Sequence, residues 1–107
     1  MNEANRLEKA SCYNLIGCIY LSTGNNDAAY SNFLEALEIR SKYYDKTDPD
    51  HPEIGVSHHN VGKACTKLCN FVEARTHYQK AEKIYRRNYA DNHPLVIEIS
   101  QTLMRSR

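Results

Sequence analysis

Two stretches of this chain can be laid on each other at a single displacement, and that duplication constrains the fold more than any other feature. Tyr13-Asn14-Leu15-Ile16-Gly17 lines up with His58-His59-Asn60-Val61-Gly62, 45 positions on (17 to 62). The same displacement carries Ala29 onto Ala74, Phe33 onto Tyr78, Ala36 onto Ala81, Ile39 onto Ile84 and Tyr44 onto Tyr89. A His-Pro pair also recurs, but 42 positions apart (51 to 93), as His51-Pro52 and His93-Pro94. The difference falls in Lys46-Thr47-Asp48-Pro49-Asp50, which is longer than its counterpart Asp91-Asn92. Insertions are tolerated in exposed connections rather than in packed elements. Self-similarity at this period marks stacked supersecondary units.

Each unit reads as two helices. Leu7, Ala10, Tyr13, Ile16, Gly17 and Tyr20 recur at steps of three and four, the helical period. Thr23-Gly24-Asn25-Asn26-Asp27 ends that run: Gly24 suits a left-handed cap, and Asn or Asp suits the start of the next helix. Ala29, Phe33, Ala36, Leu37 and Tyr44 then share a face. The second unit repeats the plan with Ile54, His58, Val61, Gly62, Cys65 and Leu68, a break near Asn70, then Ala74, Tyr78, Ala81, Ile84 and Tyr85. Pro52 and Pro94 stand where a first helical residue is expected, because proline there forfeits no needed hydrogen bond. No alternating β-branched run suggests a strand. Repeat one spans about 2–46 and repeat two about 51–90; a helix over about 94–105 either caps the stack or begins a third repeat. Leu95, Ile99 and Leu103 give that last helix an apolar stripe.

Small residues indicate how the helices meet. Glycine inside a helix costs about 1 kcal/mol relative to alanine, so finding it twice in one register, at Gly17 and Gly62, points to close helix crossings. Ala29 and Ala36, and again Ala74 and Ala81, offer small surfaces seven apart, with Phe33 and Tyr78 filling the space between them.

The net charge of +1 supplies no global basic surface for gripping nucleic acid by its phosphates. The basic run Arg75, Lys80, Lys83, Arg86 and Arg87, set against Glu73 and Glu82, reads as a solvated outer helix face rather than an RNA site. No apolar run approaches the roughly 18 residues needed to span a bilayer, and residues 1–6 lack the apolar stretch of a secretory signal; a cytoplasmic location is expected. Cys12, Cys18, Cys65 and Cys69 form no C-x-x-C pair. His58, Cys65 and Cys69 would share one helical stripe, and buried packing of small thiols accounts for it better than a metal with no fourth ligand. Phosphate-cradling glycine loops, nucleophile elbows and H-E-x-x-H pairs are absent, so neither catalysis nor a cofactor is expected.

The pattern resembles the tetratricopeptide repeat (TPR): a large residue, an aliphatic-plus-small pair, an aromatic, a small residue, an aromatic and a small residue. Here these are Tyr13, Ile16-Gly17, Tyr20, Ala29, Phe33 and Ala36, then His58, Val61-Gly62, Cys65, Ala74, Tyr78 and Ala81. His58 and Cys65 depart from the usual large residues. The TPR period is 34 residues; the longer spacing here and the run Asp50-His51-Pro52-Glu53-Ile54 look like the kinesin-light-chain subgroup. The resemblance implies an all-α, right-handed solenoid of two helix-turn-helix repeats plus a C-terminal helix. It further implies a concave groove lined by the first helix of each unit, which assigns Asn14 and Cys18, then His59, Lys63 and Lys67, then Gln101 and Arg105 to the partner-binding surface. Such a groove is polar and mildly basic, suited to a protein or peptide segment that is acidic or extended. A Lys followed four residues on by Asn, which clamps acidic chaperone tails in some TPR domains, is replaced here by Asn14 and Cys18. The function implied is that of an interaction scaffold or adaptor. The alternatives are an oligomerisation module that pairs through its terminal helices and a regulatory segment of a larger protein.

Overall fold

The computed structural model describes residues 3–105. Among them run five helices and no strand: α1 (Glu3–Ser22), α2 (Asn26–Tyr44), α3 (Pro52–Lys67), α4 (Phe71–Asn88) and α5 (Pro94–Arg105). α1 pairs with α2 and α3 with α4 as hairpins; α2 also packs on α3, and α5 on α4. This is the all-α helical-repeat architecture the duplication predicts.

The crossings depend on the paired glycines. A Cβ on Gly17 would stand 2.6 Å from the Phe33 ring, and one on Gly62 would stand 2.6 Å from the Tyr78 ring. Phe33 and Tyr78 are buried, as are Ala29, Ala36, Ala74 and Ala81. The continuous core adds Val61, Ala64, Cys65, Tyr85, Val96 and Ile99, with Leu95 and Leu103 packed against it. The apolar stripe of α5 is thus turned inward onto α4, and Ile99 is fully buried rather than available for pairing with another copy.

Both hairpin turns close in the same way. Asn25 N–H reaches the Tyr20 carbonyl at 2.9 Å, and Asn70 N–H reaches the Cys65 carbonyl at 2.8 Å, the long-range bond of a Schellman cap. The left-handed residue is Gly24 (φ 84°) in the first turn and Cys69 (φ 62°) in the second. The two stand 45 positions apart, 24 to 69. Cys69 therefore lies beyond the end of α3 and is exposed, so it does not continue a stripe with His58 and Cys65. Cys12 and Cys18 are exposed as well, and buried thiol packing holds for Cys65 only.

The His-Pro pairs start α3 and α5. His51 Nδ1 accepts the Glu53 N–H at 3.1 Å, and His93 Nδ1 accepts the Leu95 N–H at 3.1 Å. Each imidazole thereby caps a helix as Ser or Asp does elsewhere. Each also stacks on a tyrosine from the preceding helix or its end, His51 on Tyr44 at 3.8 Å and His93 on Tyr89 at 4.0 Å between centroids.

The stripe expected along α1 is covered only in part. Ala10 and Gly17 are buried, but Ile16 is 42% and Tyr20 36% exposed. The reason is position: α3 lies between α2 and α4, whereas α1 packs chiefly on α2.

Candidate binding surface

The first helices α1, α3 and α5 share one face, linked by side-chain contacts. Asn60 Nδ2 on α3 donates to Asn14 Oδ1 on α1 at 2.7 Å. Lys63 Nζ on α3 lies 3.9 Å from Glu98 Oε1 on α5. Of the residues the sequence assigns to this surface, Cys18, Lys67, Gln101 and Arg105 are exposed, while Asn14 and Lys63 are half-buried. Arg105 bends back, its Nε donating to the Gln101 carbonyl at 3.3 Å.

His59 differs from that expectation. It is 4% exposed and shares a 3.2 Å hydrogen bond between Nδ1 and the Tyr85 hydroxyl. Gly55, one turn before it, lets α3 approach α4 at Tyr85, where a Cβ would stand 2.9 Å from the ring. Burial pushes the His59 imidazole down to about 4, and Lys63 pushes it the same way. It is therefore neutral at physiological pH, and the nearby Glu98 carboxylate is left to pair with Lys63. His59 supports the surface from beneath rather than lining it.

Sequence reading missed Glu98, although it lies one helical turn before Gln101 and so falls on the same side of α5. Its carboxylate offsets part of the charge of Lys63, leaving Lys67 and Arg105 as the more available cations.

A second polar cluster ties the two hairpins together on the other side of the stack. Tyr30 O–H on α2 donates to Glu73 Oε2 on α4 at 2.5 Å. His77 Nε2 lies 3.6 Å from the same oxygen, and His58 Nδ1 is 2.9 Å from His77 Nδ1. Cys65 borders this group, but burial pushes its thiol up to about 12, so at neutral pH it is protonated and a poor nucleophile. The hydrogen bond to Glu73 likewise raises Tyr30 to about 12, and that bond from Tyr30 holds the Glu73 carboxyl below its usual range. The cluster acts as a structural bond between repeats.

Arg40 provides a further bond between the repeats. It is 6% exposed on α2; its Nη1 donates to Ser57 Oγ at 2.8 Å, and its Nε lies 3.6 Å from Glu53 Oε1. Tyr44 O–H donates to the same carboxylate at 3.2 Å.

Stacked helical hairpins with glycine-aromatic crossings define the class, an all-α helical-repeat protein. Residues 10–43, which cover most of the first hairpin, match the family model for the tetratricopeptide repeat. The chain is also similar to a TPR repeat-containing protein of Dictyostelium discoideum, with 29% identity over 103 residues. That alignment takes in 96% of this chain and 6% of the relative, so the chain spans a small fraction of the curated protein it matches. Both similarities support a TPR protein. No helix among the described residues is long and apolar enough to cross a membrane.

Proposed function

We propose that this chain is an interaction scaffold, an adaptor without catalytic function that holds an extended, acidic protein or peptide segment on the face shared by α1, α3 and α5. The observation that carries the reading is the convergence on that face of polar groups from three helices. The Asn14–Asn60 pair, Lys63 with Glu98, and the exposed Lys67, Gln101 and Arg105 stand over a well-packed apolar core. Carboxamides and cations so placed are donors to carboxylates and backbone carbonyls. TPR repeats in general mediate protein–protein contacts, which supports the class of partner. Three exposed free thiols, Cys12, Cys18 and Cys69, suit a reducing compartment and favour the cytoplasm. The recurrent His-Pro caps favour a kinesin-light-chain-like subgroup.

A peptide-display library of random twelve-mers, selected on the intact chain, tests the reading. Selection should enrich acidic extended sequences whose binding falls in Lys67→Glu and Arg105→Glu variants and weakens with salt, since exposed charges are screened over about 10 Å at 0.1 M. Enriched peptides indifferent to both reversals and to salt would refute the groove.

A further inference from the structure

The basic run on α4 divides in the structure. Arg86 is held by Glu82 and Asp91, and Arg87 by Asp50. Lys80 and Lys83 are exposed and make no ion pair or hydrogen bond among the described residues. Both line a cavity of about 330 Å³ between the two hairpins, with Ser41 of α2, Asp45 and Asp50 of the following connection, and His58 of α3. This cleft shares no residue with the face of α1, α3 and α5 described above. We propose that it binds a phosphate group, free or as the monoester of a small molecule. Lys80 and Lys83 take up its charge, and His58 Nε2 accepts its hydroxyl.

A chain of polar contacts fixes which nitrogen His58 offers. The Glu73 carboxylate lies 3.6 Å from His77 Nε2, which places the His77 proton on that nitrogen. His77 Nδ1 is then an acceptor, and the 2.9 Å contact makes His58 Nδ1 its donor. A neutral imidazole carries one proton, so His58 Nε2 is left with a lone pair for the cleft. Burial, then the charges of His77 and Lys80, push the His58 imidazole down to about 4, and it stays neutral at physiological pH. Sulfate, which is fully ionised, would set lone pair against lone pair there. A phosphate monoester loses its second proton near pH 6, so near neutrality part of its population keeps a hydroxyl to donate to Nε2. Its other oxygens accept from the two ammonium groups. The carboxylates of the cleft stand apart from this end. Asp50 is engaged by Arg87, and the charges that act on His58 are those of His77 and Lys80 rather than either aspartate.

The neighbouring cleft, between α4 and α5, neutralises its cation internally. Arg86, 45 positions after Ser41, donates to Ser100, 42 positions after His58, and is paired with Glu82 and Asp91. In the first cleft Ser41 is too short for that bridge, and neither lysine has a paired carboxylate. A phosphate seated there touches α3 and α4 and lies against Ser41 of α2, so it joins the two repeats.

Inorganic phosphate, O-phosphoserine and sulfate can each be titrated into the intact isotope-labelled chain at constant ionic strength, slightly below neutral pH, with amide shifts as the readout. Inorganic phosphate should give saturable shifts centred on Ser41, His58, Lys80 and Lys83. It should bind about tenfold or more tighter than sulfate, which leaves the imidazole acceptor facing an oxygen. Tighter binding of O-phosphoserine assigns the cleft to a monoester, and weaker binding assigns it to the free anion. Lys80→Gln and Lys83→Gln should each weaken phosphate by up to about fivefold while keeping its advantage over sulfate. His58→Leu should abolish that advantage. Should His58→Leu disturb the fold, long-range proton–nitrogen spectra of the unaltered chain test the same point: His58 Nε2 should be unprotonated and should shift with phosphate but not with sulfate. Absence of saturable binding, equal binding of phosphate and sulfate, affinity indifferent to both lysines, or a protonated Nε2 overturns the proposal.

Discussion

Cys69 occupies a backbone position for which its chirality is poorly suited, and replacing it isolates the cost. Its φ is 62°, and the residue at the same place in the first turn is Gly24, at φ 84°. An L-residue in the left-handed region costs about 1–2 kcal/mol relative to its preferred wells. Cys69→Gly removes that cost but adds freedom to the unfolded chain, worth about 0.4–1 kcal/mol in the other direction. The side chain is exposed, so little packing is lost. The net gain should be about 1 kcal/mol, which for a domain near this size raises the melting temperature by roughly 4–8 °C. Gly24→Ala supplies the mirror image: a Cβ there meets nothing within 4 Å, so its loss of similar size comes from the backbone alone. Cys69→Ser keeps the chirality and removes the thiol, and should stay within about 0.5 kcal/mol of the parent. Thermal melts of the three variants, under reductant, decide the matter. If Cys69→Gly melts no higher than Cys69→Ser, or if Gly24→Ala costs nothing, the turn does not carry the strain assigned to it.

Three further outcomes are expected. Gly62→Leu should destabilise by about 1–3 kcal/mol in chemical denaturation, because the first added carbon already lies 2.6 Å from the Tyr78 ring and that ring is tethered through a 3.1 Å hydrogen bond to Thr66. Stability should fall as pH drops from about 6.5 toward 4: burial lowers the folded-state values of His58, His59 and His77, so the unfolded chain binds more protons in that window and their contribution, complete above 6.5, is lost on acidification. Melts across that range should show the decline, and a His59→Gln variant should show a shallower one. Arg40→Ala should cost about 2 kcal/mol by urea unfolding, since Ser57 is left buried without its donor, whereas Arg40→Met, which retains the packing and removes a desolvated charge, should cost less.

The fold was legible because the same local choices are written twice. Gly17 and Gly62 pointed to their crossings, and Phe33 and Tyr78 fill them. Gly24 and the prolines marked helix ends where the ends occur. What was hidden depended on neighbours that a repeat pattern does not name. Nothing in the repeat pattern marks Arg40, which is held by Ser57 and Glu53 of the next unit. His59 reads as a groove residue by its spacing from Lys63 and Lys67, but Gly55 clears room for α3 to sink toward Tyr85 and take the imidazole with it. Cys69 counts as helical at four residues from Cys65, yet α3 ends at Lys67 and the chain reverses through the thiol-bearing residue. Periodicity identifies which side of a helix is apolar; whether a neighbour covers that side is a matter of stacking, and on α1 the two part company.

The stacked His-Tyr pairs at the helix starts separate two properties that are usually coupled, the length of a connection and the placement of what it connects. Tyr44 with His51 and Tyr89 with His93 make the same clasp, although the chain between them is seven residues apart in one case and four in the other. A connector bounded by such a clasp can lengthen with little penalty, since closing a loop costs only about 0.6 kcal/mol more for each doubling of its length. The stretch from Lys46 to Asp48 is thus a natural insertion port. A tag, a protease site or a foreign epitope spliced there would ride on the outside of the stack while the imidazole, docked on its tyrosine, still sets the first turn of α3.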